Sequence, residues 1–228
     1  VHEPGGHRCL MLGEREVEVA AAGEASVHFA QPFPEAKLWG TGRYGAPFLY
    51  TLRTEVKDQD RSNITDVHVE RFGFREVWIE GTRLLFNGKP LFVASKFLSY
   101  DDDSLYLDRQ IATQFLRLVC ADGFNAVHNH WDRPPTDFLD LADELGVLVV
   151  YQAVCMGPPP FTGTVSADQR WLEDLQHEAR AWLALDGNHP SVAFWRNVEP
   201  LSEVKRPEAT ASGGKPLAFQ LAVQRRRP

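Results

Sequence analysis

The sequence is short of cysteine, basic charge and long apolar runs. Cys9, Cys120 and Cys155 are its only three cysteines, and they are odd in number and far apart. That excludes a disulfide framework and leaves no cysteine spacing of the metal-binding kind. Acidic residues outnumber basic ones by 31 to 24, a formal charge of −7. Nucleic acid and anionic membrane surfaces both need basic patches, so neither is expected as a partner. No apolar run approaches the roughly 20 residues that cross a bilayer. Residues 1–13 have no basic segment followed by an apolar one, so no secretory leader is read there, and the compartment stays open. What is present is ordinary for a globular chain: 43% hydrophobic and 24% charged residues over a length that suits one or two domains. Cys120 falls in an apolar helical pattern and is expected as a small core residue.

The chain changes character near residues 75–87. Before that point come short alternating segments with turn residues between them. Val17-Glu18-Val19 and Ser26-Val27-His28-Phe29 alternate as half-buried strands do. Residues 49–57 form the clearest strand, 58–63 a polar turn and 66–71 a further strand. Strands at this spacing without a helical period predict a β-sandwich.

From Thr82 the pattern alternates strand and helix. Asn87-Gly88 is a hairpin turn between 83–86 and 90–93, and the latter is expected as the first barrel strand. Leu107, Ile111, Phe115, Leu118 and Val119 recur at helical spacing, stopping near Asp122-Gly123. Residues 125–128 read as a strand, Thr136 as the cap of a second helix ending before Gly146, and 147–151 as a strand buried on both faces. A third helix carries Leu172, Leu175, Ala179, Trp182 and Leu183, and 191–195 is the last strand. Strands and helices in this order predict a parallel sheet, half of an eight-stranded barrel. Residues 201–228 carry no clear period and read as a weakly ordered tail.

The stretch 187–200 is chemically the most suggestive. Its strand empties into Asn197 and Glu199. Carboxylates at the carboxyl ends of barrel strands are candidate acid/base groups, and an apolar surrounding with Trp195 nearby raises a carboxyl pKa as an acid catalyst needs. A surface Glu in a strand-to-loop turn is the competing reading. His128-Asn129-His130 puts two imidazoles on one strand face, as in some metal-dependent hydrolases. No third ligand falls in a recognisable motif, so no metal or other cofactor is assigned.

Seven fragments occur in one order: Leu38-Trp39, Pro47-Phe48-Leu49-Tyr50, Arg71-Phe72-Gly73-Phe74-Arg75, Asn87-Gly88-Lys89-Pro90-Leu91, Gly123-Phe124-Asn125-Ala126-Val127, 138–146 and Asn188-His189-Pro190-Ser191-Val192. Together they resemble glycoside hydrolase family 2, the β-galactosidase, β-glucuronidase and β-mannosidase group. The resemblance implies an immunoglobulin-like β-sandwich over 1–76, the first half of a (β/α)8 TIM barrel over 77–200, a tail over 201–228, and a sugar-binding jelly roll upstream. It also implies retaining hydrolysis of β-glycosides by two carboxylates about 5–5.5 Å apart.

Carried over residue by residue, the resemblance makes Glu199 the candidate acid/base and Asn197 the ligand of a sugar 2-hydroxyl. His128 stands where the family has an arginine, and Trp131 where it has a histidine; Trp131 would then offer an aromatic platform to a sugar face. Gln152 follows the third barrel strand as a polar pocket residue. Further departures are visible, among them a stretch from Trp195 to Glu199 one residue shorter than the family's. Val198 separates Asn197 from Glu199, where the family has the pair adjacent. Ala94-Ser95 replaces an expected Arg-Gly, followed by Lys96 and Asp101-Asp102-Asp103 as a solvated loop and helix cap. No nucleophile Glu with a strand context occurs in the chain, so the chain by itself is expected to be inactive, with self-association through open sheet edges. A non-catalytic carbohydrate-binding or structural remnant is the alternative.

Overall fold

The computed structural model describes residues 1–19, 21–58, 63–98, 105–106, 108–129, 133–152 and 169–196. The first paired strands are β1 (Tyr50–Lys57) and β2 (Ile64–Phe72), antiparallel from Tyr50 opposite Phe72 to Lys57 opposite Ile64. Their aromatic end is buried. Tyr50 is wholly inaccessible and meets Phe33, Phe48 and Phe74 edge-on and Phe72 in a stack, with ring centroids 5.0–5.9 Å apart. These arrangements suit aromatic quadrupoles. At the other end of the ladder Val56, Val67 and Val69 are exposed.

A second antiparallel unit comprises β3 (Val77–Glu80), β4 (Arg83–Phe86) and β5 (Lys89–Pro90). The two-residue loop between Phe86 and Lys89 has Asn87 at φ 48° and Gly88 at φ 79°. Both are left-handed, as the tight hairpin turn requires and as an Asn-Gly pair supplies at low strain.

The third unit is a four-stranded parallel sheet in chain order, β6 (Ser95–Leu98), β7 (Ala126–Asn129), β8 (Leu148–Gln152) and β9 (Val192–Arg196). Helices connect its strands: α1 (Arg109–Ala121), α2 (Thr136–Leu145) and α3 (Gln169–Asp186). Asp108 caps α1, its carboxylate accepting from the backbone N–H of Gln110 and Ile111. Gly146 ends α2 at φ 70°, where an added Cβ would lie 2.9 Å from the Gly40 carbonyl oxygen.

Strand alternation divides the core in two. On one sheet face Leu98, Val127, Val149, Tyr151 and Val192 pack with Leu116 and Val119 of α1 and with Phe138, Leu139 and Leu141 of α2. On the other, Ala126, Leu148 and Phe194 pack with Trp39, Val77, Phe86 and Leu91. The antiparallel segments thus cover the lower part of one sheet face. Removing a side chain as large as Leu116 or Trp39 from water contributes about 1.5–3 kcal/mol in each case.

Several sequence expectations change. Residues 17–19 and 26–29 form no strand; Val17, Val19, Val27 and Phe29 are exposed. Alternation defines a face, but a strand also needs a ladder partner, and these segments find none among the described residues. The first parallel strand is 95–98 rather than 90–93, because Lys89 and Pro90 pair backwards with β4. Lys96 therefore lies in a strand and not a loop, while 101–103 lies outside the described residues. The buried face of α1 is Ala112, Leu116 and Val119, leaving Ile111, Leu118 and Cys120 exposed; Cys120 is not a core residue. Spacings of three and four fit two adjacent helical faces, and packing against α2 selects the one a residue further round. Thr136 is the first residue of α2, preceded by Pro135 at the cap, and makes no capping bond.

Candidate functional site

Ligand sites of parallel α/β sheets lie beyond the carboxyl ends of the strands. On the sheet face that carries Ala126 and Leu148, two polar side chains stand at those ends. His128 lies two residues after Ala126 on β7, and Gln152 four residues after Leu148 at the end of β8. Even spacing along each strand returns a side chain to the same face. The structure brings these two predicted site residues together: His128 Nε2 lies 2.7 Å from Gln152 Oε1. With the carboxamide oxygen as acceptor, the contact calls for the tautomer that carries its hydrogen on Nε2. Phe97, in register with His128 on β6, sets its ring against the imidazole at 5.6 Å and 86°. Gln152 is 1% exposed, and its Nε2 has no hydrogen-bond partner among the described residues. Asn197, Glu199 and Trp131, like His130 of the alternative metal reading, lie outside the described residues.

A network behind the sheet fixes the chain on either side of this mouth. Arg133, after β7, donates to both oxygens of Asp186 at 2.9 and 2.6 Å, and the Tyr151 hydroxyl donates to Asp186 Oδ2 at 2.6 Å. Burial first, then the Asp186 carboxylate, pushes the Tyr151 hydroxyl far up, so it remains a proton donor. Asn129, on the helix-facing side, accepts from the Tyr106 hydroxyl.

A second polar cluster lies at the opposite, amino end of β9. Asp143 of α2 accepts from the Ser191 backbone N–H at 2.9 Å through Oδ1, and its Oδ2 lies 2.6 Å from His189 Nδ1. Its backbone carbonyl accepts from Trp39 Nε1 at 2.8 Å. Arg75 donates to the carbonyls of Pro190 and Val192 at 2.7 and 2.5 Å, and Arg71 bridges Glu144 and Asp140 at 2.5 and 2.9 Å. Burial alone would lower the His189 pKa, but Asp143, with Asp140 and Asp186 behind it, outweighs that and holds it above the ordinary value. Asp140, Asp143 and His189 bring ligand atoms within 4.8 Å of one another. Asp140 is paired with Arg71 and both Asp143 oxygens are engaged, so the cluster is a seam joining the antiparallel segments to the parallel sheet.

Sequence reasoning proposed His128 and Gln152 singly and missed that they pair. The signal was their shared distance from strand ends, which becomes a contact only once β7 and β8 are known neighbours. Phe97 was missed because its strand was set too early. The Asp143–His189 seam sat inside two of the seven fragments, recognised by order and not by role.

Antiparallel β-units lead here into a parallel βα sheet with polar groups at the carboxyl ends of two of its strands. The family model described as Glycosyl hydrolases family 2 matches residues 11–75. A family 2 member from Bacteroides cellulosilyticus aligns at 25% identity and TM-score 0.58, over 71% of this chain and 20% of that one. The Amycolatopsis orientalis exo-chitosanase aligns at 25% identity and TM-score 0.61, over 77% and 22%. The Bacteroides uniformis β-glucuronidase aligns at 20% identity and TM-score 0.67, over 86% and 23%. The resemblance to glycoside hydrolase family 2 therefore stands, and the chain spans about a fifth of the length of these solved relatives. No helix among the described residues is long and apolar enough to cross a membrane.

Proposed function

We propose that this chain is part of a retaining β-glycoside hydrolase, with an immunoglobulin-like sandwich over 1–76 and the first half of a TIM barrel over 77–200. The observation that carries the reading is the His128–Gln152 pair at the carboxyl ends of β7 and β8, in a chain whose preceding segment matches the family 2 model. His128, Gln152, Asn197 and Trp131 contact the sugar. Glu199, three residues beyond β9, protonates the leaving oxygen and then activates water. Its partner carboxylate has no candidate within these 228 residues, so the chain assayed by itself binds a glycoside without turning it over. Strands β6 and β9 each have one neighbour among the described residues, and such edges favour self-association.

The test is an aryl β-glycoside assay on the purified chain and on Glu199→Gln. No release above background is expected from either. Release by the parent that Glu199→Gln abolishes would refute the inactivity and leave the role of Glu199 standing; release that survives the substitution would remove Glu199 from the mechanism.

A further inference from the structure

We propose that His128 and Gln152 act as one recognition unit, in which His128 orients the Gln152 amide so that its NH2 donates to an oxygen of the bound sugar and discriminates against a cationic amino group there. This rests on the glycoside reading and adds which sugar chemistry the pair selects. The His128 bond occupies Gln152 Oε1 at 2.7 Å, and with the imidazole hydrogen on Nε2 the amide cannot turn over without placing its own NH2 against that N–H. Its NH2 is then the group left over, buried with the rest of a side chain that is 1% exposed, and it has no acceptor among the described residues. Buried donors are almost always satisfied, and one left open beside a candidate ligand mouth points to an acceptor brought by the ligand. A hydroxyl or carboxylate oxygen meets that need. An ammonium group offers only donors and would face the amide donor to donor, a repulsive selection element. The edge of Phe97 against the imidazole, with centroids 5.6 Å apart, restricts rotation of His128 and so preserves the arrangement.

The test uses the full 15N-labelled chain, titrated with methyl β-D-glucoside, methyl β-D-glucuronide and methyl β-D-glucosaminide. The Gln152 side-chain NH2 resonances are followed directly. They are expected to shift on binding of the two oxygen-only sugars. Gln152→Glu, which exchanges the donor for an acceptor at nearly constant shape, is expected to weaken both by about tenfold or more and to favour the glucosaminide. His128→Ala is expected to weaken oxygen-sugar binding and broaden the Gln152 NH2 signals, while His128→Gln, which restores an N–H donor, recovers both. Amide dispersion in each variant's spectrum reports whether it has folded. Sugar binding with unmoved Gln152 signals and unaltered affinity in Gln152→Glu would overturn the inference and leave the glycosidase reading intact. Binding of none of the three sugars by the parent chain would overturn both.

Discussion

Replacing Asp143 with alanine should destabilise the chain by about 3–5 kcal/mol, the range for breaking a buried charge pair. Two losses coincide. The Ser191 N–H is left buried without its 2.9 Å acceptor, a cost of about 1–3 kcal/mol. His189 loses the partner 2.6 Å from its Nδ1. The losses are not additive, because one carboxylate serves both and His189 can shed its proton once the partner is gone. That places the expectation toward the lower end of the range. Asp143→Asn keeps an oxygen for Ser191 while removing the charge, and should cost about 1–3 kcal/mol. Urea denaturation followed by circular dichroism measures both, with an unchanged slope showing that folded and unfolded compactness are unaltered. Equal costs for the two substitutions, or a cost below about 1 kcal/mol for alanine, would refute the seam as a source of stability.

The same pair sets a pH dependence. The His189 pKa is raised above its ordinary 6.5 in the folded chain, burial opposing and the neighbouring carboxylates prevailing. The folded state therefore holds this proton at pH values where the unfolded state has released it. The gain is fully present below the ordinary value and is lost as pH rises through the folded one. Stability should fall upward from near neutrality, and His189→Gln should flatten that part of the profile. A parent profile that rises over this interval would contradict the assignment.

Two further outcomes can be checked simply. Gly73→Ala places a Cβ 2.9 Å from both Pro190 Cγ and Trp39 Cβ, where a proline ring and a wholly buried indole base leave little room to move, so a loss of about 1–3 kcal/mol is expected in the same denaturation assay. Strands β6 and β9, each with one neighbour among the described residues, and Phe97 on β6, 51% exposed, predict concentration-dependent association by sedimentation velocity; a single monomeric boundary across a wide concentration range would count against it.

The parallel half of the fold was legible in the sequence because several cues agreed there. An uninterrupted apolar run marked β8, glycines closed α1 and α2, and the βα order admitted one topology. The antiparallel half was legible only where a segment also had its ladder partner. Residues 49–57 and 66–71 found each other as β1 and β2, whereas 17–19 and 26–29 carried the same alternation without a partner among the described residues. The first parallel strand was misplaced for a related reason: Pro90 and Leu91 continue an apolar segment, but hydrogen bonding hands Lys89 and Pro90 to β4, and the parallel ladder begins at Ser95.

The site divides along the same line. Sequence spacing locates strand ends, so His128 and Gln152 could be chosen as mouth residues, but a contact between neighbouring strands depends on register, which no single segment encodes. Asp143 shows the converse. It sits in an ordinary amphipathic helix pattern, and nothing local distinguishes it from Asp140 or Glu144. Only the approach of Trp39, Ser191 and His189, from segments 46 to 104 residues away in sequence, gives its carboxylate and carbonyl their roles. The fragments at 38–39, 138–146 and 188–192 meet at this residue. Its seam fixes the amino end of β9, the strand that precedes Asn197 and Glu199 in sequence.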